Sequence, residues 1–70
     1  MICVVGLNLS PEAIRLAELT IAQTIDAISL FPVVGDILEP IPNLRLAVRE
    51  RRFELRERPY IWLQVEVISH

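Results

Sequence analysis

The chain has 70 residues, 53% of them hydrophobic, and a formal net charge of −2 from nine acidic and seven basic residues, with a mean hydropathy of +0.46. A chain this short forms one domain over residues 1–70, and such a domain hides only ~60% of the surface its unfolded chain exposes, so apolar area is left over for copies of itself, another protein or lipid. The acidic balance excludes a general attraction for nucleic acid, and the single cysteine, Cys3, excludes an internal disulfide or a multi-cysteine zinc site and reads as a small buried apolar residue.

Residues Met1 to Leu7 are apolar and β-branched at Ile2, Val4 and Val5, which predicts a strand or extended arm. No basic residue precedes the apolar run, so the segment lacks the pattern of a secretory signal and is expected to be kept. Ser10-Pro11-Glu12 then starts a helix: serine caps the free amides, proline suits the first helical position and glutamate favours the positive end of the dipole. This helix is expected over 11–30. Ile14, Ala17, Ile21, Thr24, Ile25, Ile28 and Phe31 lie along one face and Glu12, Arg15, Glu18, Asp26 and Ser29 along the other. The spacing of Ile14, Ile21, Ile25 and Ile28 resembles a packing seam between helices, and Leu16, Leu19 and Leu30 encroach on the polar arc, so the helix calls for partners on more than one side.

Phe31-Pro32-Val33-Val34-Gly35-Asp36 breaks the helical pattern, and Pro40 and Pro42 limit any helix between them and Asp36 to one turn. A Pro/Gly corner over 31–42 follows, with a second helix over 42–58 that begins at Pro42 or Asn43 and ends before Pro59. A rival reading makes Arg52–Arg58 a strand, because Phe53 and Leu55 alternate with Arg52, Glu54 and Arg56. Residues 60–69 are aromatic and β-branched and predict a strand, which can pair with 1–7 or between subunits. The expected fold is therefore mainly α: a helical hairpin with strand-like termini.

On the second helix Arg45, Arg49, Arg52 and Arg56 recur at spacings of 4, 3 and 4, a basic stripe along one arc. Glu50, Glu54 and Glu57 flank it, and Leu44, Ala47, Val48 and Leu55 form an apolar seam between the two rows. All seven basic residues are arginine, which suits bidentate contact with carboxylate or phosphate and equally fits a GC-rich genome or a hot habitat. The bland reading of the stripe is a solvated face crossed by ion pairs. The sharper one is a row of ~16 Å that tracks a nucleic-acid backbone without reading sequence.

Catalytic patterns are missing. The one histidine, His70, is terminal, so no nucleophile–base pair or histidine metal site assembles within the chain. Asp26 and Asp36 read as polar-face and capping residues, and Val34-Gly35-Asp36 lacks the glycines and lysine of a phosphate loop. Tyr60 and Trp62 read as packing residues rather than base-stacking ones. No enzyme, cofactor, metal or small-molecule substrate is expected. Leu19–Leu38 has the length of a membrane span, but Asp26, Gln23, Pro32, Gly35 and Asp36 bring its insertion balance near zero.

Through Pro11–Leu30, the Phe31-Pro32 to Gly35 corner and the four arginines, the chain resembles in general character the short helical-hairpin coat proteins of rod-shaped archaeal double-stranded DNA viruses. The resemblance implies a helical capsid in the virion, many copies with tight apolar contacts, and arginines facing DNA. Together these readings predict a self-assembling structural subunit with Arg45, Arg49, Arg52 and Arg56 at the nucleic-acid backbone. Ile14, Ile21, Ile25, Ile28, Leu44, Val48 and Leu55 are the expected contacts between subunits. The alternatives are a membrane-associated helical hairpin, with the arginines at the anionic surface, and a small soluble dimeric β-α-α-β module that binds a partner protein.

Overall fold

A computed structural model describes residues 2–69; Met1 and the sole histidine, His70, lie outside it. In chain order the elements are β1 (Ile2–Gly6), α1 (Pro11–Ile28), β2 (Ile37–Ile41), β3 (Leu44–Glu54) and β4 (Tyr60–Ser69). The strands form one curled mixed sheet in the order β1-β4-β3-β2. β4 lies between β1, which it meets in parallel, and β3, which it meets antiparallel, and β2 closes the far edge antiparallel to β3. The helical-hairpin expectation is thus overturned: the second helix does not exist, and its residues form β3 together with the β3–β4 turn.

The helix that does form follows from its first residues. The Ser10 side chain accepts the Ala13 amide at 3.1 Å and Pro11 occupies the first turn. The helix stops at Ser29, which takes a left-handed φ of 57° and donates its amide to the Ile25 carbonyl at 2.8 Å. The segment to β2 turns at Val33–Asp36. Gly35, at φ 99°, takes the third position, Asp36 N–H donates to the Val33 carbonyl, and the Asp36 carboxylate accepts the Val33 amide at 2.9 Å. The Leu19–Leu38 stretch weighed as a membrane span is therefore half helix, half turn and strand. No helix among the described residues is long and apolar enough to cross a membrane.

Pro42-Asn43, expected to open a second helix, instead links β2 to β3. Ile41 pairs with Leu44 across the two residues, and Asn43 takes a φ of 72° after the proline, the sequence pattern of a type II turn. Beyond it Leu44, Leu46 and Val48 alternate with Arg45 and Ala47 at the period of a strand. The alternation changes phase at Arg49: β3 pairs Val48 with Val65 but Glu50 with Gln64, a β-bulge that inserts one extra residue. That bulge explains the misleading periodicity. Arg49 is itself the inserted residue, so it and the even-numbered Arg52, which an unbroken strand would place on opposite faces, share one face.

α1 covers one face of the sheet. The core between them comprises Val4 of β1, Ala17 and Ile21 of α1, Leu46 and Val48 of β3, and Leu63 and Val65 of β4. Ile14, Ile25 and Leu44 pack against it. Of the seven residues expected between subunits, Ile21 and Val48 are thus buried inside the chain and Ile14, Ile25 and Leu44 are partly covered there. Only Ile28 and Leu55 are exposed.

Candidate functional site

Two surfaces are left over once the core is formed: an apolar groove at one end of the α1-covered side, and the sheet face that α1 does not cover. The groove arises because β3 and β4 run on beyond α1. Phe53, opposite Ile61 in the β3–β4 ladder, points to the helix side past the point where α1 ends, and Leu55 extends the apolar row into the hairpin turn. Phe31 approaches from the segment after α1, leaving a cavity of about 410 Å³ between it, Ile25 and the hairpin. Its polar residues are Asp26 and Tyr60. Arg51 braces the rim: its guanidinium lies 5.1 Å from the Phe53 ring centroid and donates to the Pro32 carbonyl at 3.4 Å. Leu55 is 85% exposed, Leu30 63% and Ile28 57%. Thirteen large hydrophobic residues are at least 40% exposed among the described residues, and three of them, Phe31, Phe53 and Leu55, meet at this groove.

The uncovered face holds the charged residues. Arg49, at the bulge, donates from Nε to the Glu66 carboxylate at 2.7 Å. One ladder step away on the same face Glu50 stands opposite Gln64, and beyond it Arg52 stands opposite Trp62, its guanidinium 4.2 Å from the ring centroid. Glu54 ends β3 and has Arg52 at 3.9 Å and Arg56 at 3.1 Å. Cys3 and Val5 of β1 extend the Trp62 and Gln64 rows. Cys3, expected to be buried, is half-buried beside Trp62.

Of the four arginines of the expected helical stripe, Arg49 and Arg52 share this face, Arg56 reaches its end from the hairpin turn, and Arg45 stands exposed at the far end of β3 opposite Ser69, beyond a second shift of register. They form no helical row, and Arg49, Arg52 and Arg56 each have a carboxylate within 4.0 Å. No cluster of metal-ligating side chains is present among the described residues. The sequence offered no sign of the Glu18 contact: its carboxylate, assigned to the outer face of the helix, accepts the Val4 amide of β1 at 3.0 Å. That bond joins positions 14 residues apart and is a product of the tertiary fold.

Comparison with protein-family models gives no match, and comparison with curated proteins and with solved structures gives no significant match either.

Proposed function

We propose that the protein is a self-associating structural domain, a subunit of a homo-oligomer whose main contact is the apolar groove between the end of α1 and the β3–β4 hairpin. The observation that carries this reading is the clustering of Phe31, Phe53 and Leu55 in the open around one cavity, with the exposed Leu30 next to Phe31 in the chain, on a domain too small to bury them itself. A second copy is a suitable occupant because the rim carries its own apolar projection: Leu55 stands out on the hairpin turn beside the cavity that a copy of it would fill.

Strand addition is a poorer route. Pro40 interrupts hydrogen bonding along edge strand β2, and on edge strand β1 the Glu18 carboxylate already takes the Val4 amide. A coat-type assembly is one structure such a subunit can build. The expected contact of the arginines with nucleic acid is not carried into this reading, because three of them already have carboxylate partners.

Static light scattering at micromolar concentration tests the reading. The wild-type chain should be oligomeric, and Leu30→Asn combined with Leu55→Asn should shift it to monomer. Its far-ultraviolet circular dichroism should stay unchanged, since both side chains are exposed in the isolated fold. A monomeric wild type, or a double variant that assembles as well as wild type, would overturn it.

A further inference from the structure

The uncovered sheet face has a charge order that the groove contact does not use. Along it Arg49, Arg52 and Arg56 alternate with Glu50, Glu54 and Glu66, so the basic and acidic residues balance. A phosphate backbone laid on this face would meet a carboxylate beside every arginine. An acidic or basic partner would be repelled by half of it. A surface of the same composition, turned end for end, has the complementary order.

We infer that this face is a second, weaker self-contact, in which two copies stack sheet to sheet about a two-fold axis between Glu50 and Arg52. The two residues lie on one face of β3 two positions apart, ~6.8 Å, with Gln64 and Trp62 as their partners on β4. An axis midway between them brings Glu50 of each copy to Arg52 of the other, giving two reciprocal ion pairs, as an isologous contact requires. Within the chain Glu50 has no ion pair among the described residues, and the only carboxylate near Arg52 is the 3.9 Å contact to Glu54. Glu50 thus lacks a partner of its own, and Arg52, stacked on Trp62 with half its side chain exposed and only the long contact to Glu54, can take a closer carboxylate from across the axis. Trp62 lies beside them and supplies the aromatic area that such contacts favour.

The paired length of β3 and β4 and the width of four strands give on the order of 500 Å² of face per copy, which places the contact among small, reversible interfaces. Charge pairing at a contact that remains partly wet also makes it salt-sensitive. Joined to the groove, it would give each subunit two different surfaces for its neighbours.

This contact goes beyond the groove reading and can be tested without it. In the Leu30→Asn/Leu55→Asn background, sedimentation equilibrium at rising protein concentration should show a weak monomer–dimer equilibrium that dissociates further on adding salt. Arg52→Glu alone and Glu50→Arg alone should each raise the dissociation constant at least tenfold, because each puts like charges at both pairs. An equimolar mixture of the two variants should recover dimer, and so should Arg52→Glu combined with Glu50→Arg in one chain. A background variant that stays monomeric at every concentration, single reversals without effect, or a mixture that does not recover dimer would each overturn the inference. Groove failure has a separate sign, an unchanged assembly of the Leu30→Asn/Leu55→Asn chain itself.

Discussion

The two faces of the sheet are built from the same strands and obey different physics. On the α1 side Leu46 and Val48 of β3 meet Leu63 and Val65 of β4, and all four are nearly or wholly removed from solvent. On the other side of the same strands stand Arg49, Glu50, Gln64 and Glu66, all exposed, together with the buried Ala47. Burial of the first set supplies the free energy that holds the strands together. The second set decides what the surface can meet. Stability should therefore be sensitive to small changes on one face and tolerant of large ones on the other.

The sharpest break of that contrast is Leu63→Ala. Leu63 is fully buried in the central strand and pairs with Val4 on one side and Arg51 on the other. Its truncation should cost ~2–5 kcal/mol through lost transfer energy and the cavity left behind. A domain of this size has ~4–10 kcal/mol in all, so urea unfolding should show a much lower midpoint or a chain unfolded at the outset. A loss below ~1 kcal/mol would mean that the α1 face is not the core.

The capping bond of Ser10 is of intermediate weight. Ser10→Ala removes the acceptor for the Ala13 amide and should cost ~1 kcal/mol. The loss should appear in thermal unfolding followed at the helical band, with the groove unaffected, because Ser10 stands at the opposite end of α1 from Phe31.

Whatever depended on consecutive residues was legible in the sequence. Ser10-Pro11-Glu12 marked the helix start, Ile2, Val4 and Val5 and the run from Tyr60 marked the first and last strands of the chain, and Pro32 and Gly35 marked the break between α1 and β2. The middle of the chain was not legible, for a definite reason. The Leu44, Leu46, Val48 alternation extends over only five residues before the bulge at Arg49 reverses its phase. With the bulge, Arg49 and Arg52 share a face at a spacing of three, which a regular helix would also produce. β2 was hidden because Pro40 and Pro42 argue against strand everywhere but at an edge or a turn, which is where they are. Of the candidate surfaces, composition announced that apolar area would be left over. Which residues carry it required the fold, since Ile21 and Val48 went into the core while Phe31 and Phe53, not counted among the interface residues, came to rim the groove.

The smallest expected effect is also the one that most directly probes the open face. Arg49 and Glu66 make a 2.7 Å ion pair whose side chains are 54% and 61% exposed. In the isolated monomer water screens both groups, and holding two long side chains in one geometry costs entropy. A double-mutant cycle of Arg49→Ala and Glu66→Ala should therefore give a coupling of only ~0.2–1 kcal/mol, reduced by salt. Covering the face changes the expectation, because a second copy displaces water from around the pair and lowers the effective dielectric. If the faces stack, the coupling measured in the Leu30→Asn/Leu55→Asn background should rise with protein concentration, and Arg52→Glu should abolish that rise. A coupling that is small at every concentration would leave the face facing water alone, and the division between a stabilising face and an interacting one would then rest on the groove.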